Sequence, residues 1–133
     1  MTRIAVLLGL GLLLVGSSYA QQNEPRFTGT SVAMEGKDLS IARRSFEAGA
    51  RTFWHSHDNG QLLMVEDGRM RMQKKGGPVR ELGKGESDYT GPKVVHWHGA
   101  VPGQALVQIN AGFGGETRWM EKVTDAEYEG KAK

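Results

Sequence analysis

Gly49-Ala50-Arg51-Thr52-Phe53-Trp54-His55-Ser56-His57-Asp58-Asn59-Gly60-Gln61 and, further along, His96-Trp97-His98-Gly99-Ala100 hold all four histidines of the chain, as two His-x-His pairs. In an extended strand, residues two apart point to one side, so each pair aims both imidazoles into the same space. Two such pairs on neighbouring strands can converge on one ion. Neutral imidazole is available at ordinary pH and is the commonest protein ligand for transition metals. A single pair could be one hydrogen-bonded structural histidine plus an exposed one. Two pairs with no histidine left over favour a shared metal site.

Around these pairs, short alternating segments dominate: residues 39–46, 52–55, 62–66, 69–73, Val79–Leu82 and 106–110. Each has the length of a strand and not of a helix. Asp67-Gly68 suits a two-residue hairpin turn that needs positive φ, and Gly76-Gly77-Pro78 ends the following strand. Closely spaced strands with such turns imply an all-β antiparallel barrel or sandwich. Near the end, Thr124 followed by Glu127 makes a capping box that starts a short helix over Asp125–Tyr128. Leu62, Met64, Met70 and Met72 fit alternating positions lining the barrel, so a packed core is expected there and not a soft-metal site. Trp54 and Trp97 alternate with the histidines and point the other way, against a second sheet or a subunit. Asp58, Asn59 and Gly60 read as a solvated turn.

With 133 residues the chain makes one domain. Its 17 Lys+Arg face 15 Asp+Glu, and Met1 to Ala20 holds one basic residue, Arg3, and no acid, leaving 16 against 15. A near-neutral domain offers no electrostatic case for a nucleic-acid partner. Arg3, an apolar run over residues 4–15 and the small-residue site Ser18-Tyr19-Ala20 read as a cleaved signal peptide at residues 1–20. The run is shorter than the ~20 apolar residues that a bilayer core demands, so no membrane partner is expected after cleavage. Residues 21–30 are polar, include Pro25 and read as a flexible arm; residues 31–133 form the folded domain. The expected location is the periplasm or outside the cell. No cysteine is present, so neither disulfides nor thiolate chemistry is available there.

Gly49, then His55, His57, Gln61 and Gly68, resembles the first motif of the cupins, and Gly85, Pro92 and His96 resemble the second. Cupins are jelly-roll barrels (the RmlC-like fold) that hold one divalent metal inside. The stretches Gly49 to His55, His96 to Ala100 and Trp119 to Asp125 look most like small single-domain cupins that include manganese-dependent hydroxynitrile lyases. The resemblance implies one divalent transition metal, manganese first with iron, zinc or nickel as alternatives, held by His55, His57, Gln61 and His96. It places His98 beside the metal as the acid/base. Four neutral ligands leave the dication's charge uncompensated, which favours polarising a substrate hydroxyl or carbonyl.

Two departures bear on substrate. The turn before His96 reads Gly91-Pro92-Lys93 where the family has Pro-Gly, which puts its backbone conformation in question. Ala42, Arg44 and Phe46 share a strand face, and Arg44 stands where the lyase-like group has an apolar pocket residue. An unpaired inward guanidinium is costly to bury. Either Arg44 meets an acid such as Glu47 or Glu116, or it serves an anionic substrate. Ala42, Arg44 and Gln108 are the expected substrate contacts, and Gln108 and Gly112 replace larger polar residues of the group. The expected function is an exported metal-dependent enzyme acting on a small oxygenated molecule, as a carbon–carbon lyase or isomerase. A dioxygenase on the same site and a non-catalytic binding module are the alternatives. Small-molecule substrate aside, the expected partner is a second copy of the chain, in a homodimer or higher homo-oligomer.

Overall fold

A computed structural model describes residues 28–131. The expected signal peptide and residues 21–27 of the expected arm lie outside the described residues. The chain divides into two compact units, Met1–Glu35 and Gly36–Lys133, and the fold below is that of the second. Its described residues form nine strands and one short helix in the order β1 (Ser40–Phe46), β2 (His55–His57), β3 (Gln61–Gly68), β4 (Met70–Lys74), β5 (Val79–Leu82), β6 (Ser87–Thr90), β7 (His96–Ala100), β8 (Leu106–Gly112), β9 (Thr117–Trp119) and α1 (Asp125–Tyr128).

The strands form two antiparallel sheets and not a closed ring. One has the order β1-β8-β3-β6, the other β5-β4-β7-β2-β9. This is a jelly roll, as expected, with open seams between its sheets. Leu63, Val65 and Leu106 of the first sheet pack against Met70, Met72, Leu82 and Ala100 of the second, and this apolar layer closes one end of the space between them. The polar end, left unfilled by that layer, holds the histidines.

Several local expectations are corrected. The strand expected at residues 52–55 is instead His55–His57, with Arg51 making only an isolated bridge to Gly99. Leu62 and Met64 point outward and are partly exposed, while Gln61, Leu63 and Val65 face in. Gln-Leu-Leu-Met-Val is apolar in both parities, so alternation alone could not choose the face. Met70 and Met72 do line the core. Asp67-Gly68 makes no hairpin: β3 and β4 belong to different sheets, the register shifts between Val65 and Asp67, and the chain crosses over at Arg69. Gly68 has φ +79°, and a Cβ there would run into the Ala105 carbonyl. Gly76-Gly77-Pro78 does join the β4–β5 hairpin, with Gly77 N–H donating to the Lys74 carbonyl at 2.9 Å.

Trp54 and Trp97 turn to the back of the second sheet, where the C-terminal segment covers them. They pack edge to face with centroids 6.5 Å apart and join Val123 and Tyr128 in a second apolar cluster. The capping box forms as expected: Glu127 N–H donates to Thr124 Oγ1, and Thr124 N–H to the Glu127 carboxylate. Tyr128 then donates its hydroxyl to the Ala100 carbonyl at 2.6 Å, which pins the helix to β7.

Candidate functional site

β7 supplies His96 and His98, and β2 supplies His55 and His57. His55 pairs directly with His96 across the β2–β7 ladder, so their rings stand 4.3 Å apart, centroid to centroid. The two remaining histidines flank this pair, with His55–His57 centroids 5.1 Å and His55–His98 centroids 5.3 Å apart. Gln61, at the start of β3 on the facing sheet, brings Oε1 to 3.2 Å from His96 Nε2. All five expected residues therefore meet in one place. Among the described histidine, aspartate and glutamate side chains, a group of three whose ligand atoms all lie within 4.8 Å of one another is His55, His96 and His98. His98 thus stands closer in than the sequence resemblance placed it.

The second partners of these rings set their tautomers. Nδ1 of His55 faces the Phe53 carbonyl at 2.9 Å and Nδ1 of His96 the Val94 carbonyl at 3.0 Å. A carbonyl only accepts, so both Nδ1 atoms carry the proton and both Nε2 atoms present lone pairs. Nδ1 of His98 faces Gln108 Oε1 at 3.1 Å, with the same consequence. Nδ1 of His57 faces Thr117 Oγ1 at 3.0 Å.

Two places are then left wanting a cation. His96 Nε2 and Gln61 Oε1 oppose each other as acceptors with no proton to share. Among the described residues, the enclosed His57 Nε2 has no hydrogen-bond partner. Buried polar atoms are rarely left so, and a metal ion resolves both. Neutral imidazole nitrogens and an amide oxygen suit a divalent transition metal of borderline softness.

Burial keeps the imidazoles neutral. It lowers His55 to about 3, with the neighbouring His96 adding to the effect, and His96 to about 4. It also holds His98 well below the usual value near 6.5 and lowers His57. Four lone-pair donors are therefore ready at neutral pH.

The cavity in front of the group measures about 440 Å3, in the range of small-ligand sites. His55, His57, Gln61 and His98 line it, together with Arg44 and Gln108. Ala42 shares the inner face of β1 but is exposed and does not line the cavity. The expected ion pair of Arg44 with Glu47 or Glu116 is not made: among the described residues Arg44 has neither ion pair nor side-chain hydrogen bond, and it stands at the solvent-exposed rim where hydration removes the need for one. Sequence reasoning missed Asn110, Thr117 and Trp119 on the cavity wall. Thr117 and Trp119 lie on a strand too short and polar to be seen by periodicity. The alternation from Gln108 to Asn110 was the available signal for Asn110.

The turn before His96 is resolved too. Lys93 takes φ +61°, the left-handed conformation that a glycine normally supplies, and its N–H donates to the His57 carbonyl at 2.7 Å. Lysine thus takes this conformation at a cost, and the turn is tied to the strand that carries His57.

The profile of the cupin domain matches residues 42–109, which is 68 of the 133 residues and just over half of the chain. The chain is a cupin. Over 87 residues this cupin is 41% identical to an (R)-mandelonitrile lyase of Granulicella tundricola, a match covering 63% of the chain and 66% of that enzyme, slightly under two thirds of its length. It is also similar to the crystal structure of a cupin-like protein from Thermotoga maritima, at 42% identity and TM-score 0.67, covering 69% of this chain and 71% of that one. A DMSP lyase from Ruegeria pomeroyi shares the fold alone, with TM-score 0.56 and 16% identity over 62% of this chain and 43% of that one. One named relative of the cupin is therefore a lyase. Among its described residues, no helix is long and apolar enough to cross a membrane.

Proposed function

We propose that this cupin is an exported, metal-dependent enzyme that acts on a small oxygenated substrate, cleaving a carbon–carbon bond in the manner of a hydroxynitrile lyase or isomerising the substrate. The observation that carries the reading is the pair of unmet acceptors, His57 Nε2 and Gln61 Oε1 against His96 Nε2, around an otherwise enclosed histidine group. His55, His57, Gln61 and His96 would hold the ion, manganese first, with iron, zinc or nickel as alternatives. A divalent ion there supplies Lewis-acid polarisation of a substrate oxygen. The similarity to the mandelonitrile lyase supports the reaction class.

His98 is the proton-transfer residue. Gln108 holds its Nδ1–H, so the Nε2 lone pair faces the cavity and takes the proton of the substrate hydroxyl. The oxygen's freed pair forms the carbonyl, the carbon–carbon bond breaks toward the departing carbon, and that carbon takes the proton back from His98. Burial keeps His98 neutral, so its Nε2 lone pair is available at neutral pH. Phe46 meets its ring edge-on at a centroid distance of 6.0 Å and limits its rotation.

The test is elemental analysis of the mature protein together with turnover of mandelonitrile under air and under nitrogen. Metal in stoichiometric amount and turnover without oxygen are expected. Strict oxygen dependence would assign the site to a dioxygenase. Export rests on the leader-like residues 1–20, and intact mass of secreted material starting at Gln21 tests it. Partners follow from the same reading: a small-molecule substrate, no nucleic acid, no membrane after cleavage, and a second copy of the chain.

A further inference from the structure

We infer that the preferred substrate is a small hydroxy acid whose carboxylate is held by Arg44 and Gln108. The inference rests on the active-site reading above and narrows its substrate class. Three observations converge on it. Among the described residues no aspartate or glutamate lines the cavity, so the walls they form carry no negative charge. Two arginines line it, and they differ in commitment. Arg51 is spent on the C-terminal segment, donating to the Val123 carbonyl at 3.1 Å, pairing with Asp125 and lying 4.4 Å over the Tyr128 ring. Arg44 is uncommitted among the described residues, although the adjacent Arg43, on the opposite face of the strand, pairs with Glu66 at 2.6 Å.

The third observation is on β8. Arg44 stands directly opposite Gln108 in the β1–β8 ladder, so the two side chains share a face. Gln108 is completely buried; its Oε1 is used by His98, and its Nε2 is an enclosed donor with no partner. A buried donor beside a free guanidinium is complementary to an anionic acceptor with two oxygens. A neutral carbonyl would satisfy Gln108 but gain little from the guanidinium's charge, whereas a carboxylate gains from both. Two residues along the same strand face, Asn110 Oδ1 is an enclosed acceptor without a partner, and a hydroxyl on the same molecule would donate to it.

Lactate and lactamide are nearly isosteric and differ in charge, so their dissociation constants, measured by calorimetry on the metal-loaded mature chain, test the inference. Wild type should bind lactate at least about tenfold more tightly than lactamide, the weight of a charge-assisted hydrogen bond. Arg44→Met should weaken lactate by about 10- to 100-fold and lactamide by less than about twofold, with Arg44→Lys in between. Equal binding of the two ligands by wild type, a preference that survives in Arg44→Met, or equal losses for both ligands would overturn it. Metal content measured on the same samples reports on the histidine site and not on Arg44, so the two readings fail separately. An unchanged melting temperature of Arg44→Met shows that the comparison is between folded proteins, as the exposed rim position of Arg44 leads one to expect.

Discussion

Acidifying the metal-stripped protein should destabilise it well before its carboxylates titrate. His55, His96 and His98 are neutral in the fold because burial holds them at about 3, about 4 and well below 6.5 respectively, whereas in the unfolded chain each takes a proton near 6.5. Below that value the unfolded state binds more protons, so stability falls as pH falls, and it keeps falling until the folded values are reached. Each excess proton is worth about 1.4 kcal/mol per pH unit, which makes about 4 kcal/mol per unit the limiting slope for three histidines. Between pH 6.5 and 5.0 the loss should therefore lie between about 2 kcal/mol, for a single histidine, and about 6, against a total of about 5 to 15 kcal/mol for an ordinary domain. Glu81, Glu121 and Glu127 do not interfere in that window. Hydrogen bonds from Arg69 to Glu81, from its own backbone to Glu121 and from the Thr124 N–H to Glu127 hold all three below 4.5, so their contributions are present above it and lost only at lower pH. Urea unfolding followed by tryptophan fluorescence at pH 7.5, 6.5, 5.5 and 5.0 measures the slope, and His55→Asn should reduce it by one proton. Stability that is flat or rising from pH 6.5 to 5.0 would refute the account of the buried, neutral histidines.

Replacing His57 or His96 by Ala should lower bound metal sharply and Gln61→Ala less so, while His98→Ala keeps the metal and loses about 10²- to 10⁴-fold in kcat; metal loss in His98→Ala would make His98 a ligand. Asp88, buried on β6, pairs with Lys74 at 2.8 Å and Arg80 at 2.9 Å and so joins the two sheets. Asp88→Ala should cost about 2 to 3 kcal/mol at pH 7.5, its partners being exposed enough to regain water; urea unfolding reads this, and a loss under 0.5 would show the link to be idle. Tyr128→Phe deletes the hydrogen bond to Ala100 and should cost about 1 kcal/mol, with faster hydrogen exchange at the C-terminal helix. On the outer face of the four-stranded sheet, Ile41, Leu62, Met64 and Tyr89 are exposed together; if two copies meet there, Leu62→Glu shifts the chain to monomer in sedimentation, and an unchanged mass places the contact elsewhere.

The site was easier to read than the surfaces that frame it. His-x-His needs only the two-residue period of a strand to place two rings on one side, and the four histidines do meet. The ligand geometry was less legible, because the closeness of His98 to His55 and His96 depends on a ladder register that no local pattern encodes. Six strands could be found from their alternation, but β6 and β9 carry too many polar residues for their length. Asp67-Gly68 has the chemistry of a tight turn and sits in a crossover between sheets, since local turn preference says nothing about which strand comes next to which. The free state of Arg44 was undecidable from sequence because Glu47 and Glu116 are plausible partners until their positions are known.

The two walls of the cavity differ in what they can tolerate. β7, which carries His96 and His98, is buried at all five positions, whereas β1, which carries Arg44, is exposed along its whole length except at the half-buried Phe46. Substitutions on β1 leave few contacts behind, and surface changes of that kind usually fall within about 0.5 kcal/mol of neutral. Selection can therefore rewrite the wall that carries Arg44 almost without touching foldability, while the wall that carries His96 and His98 is locked by its own packing. For anyone redesigning this scaffold, substitutions at Arg44 change the chemistry of the cavity wall at little risk, and a library over β7 mostly samples unfolded protein.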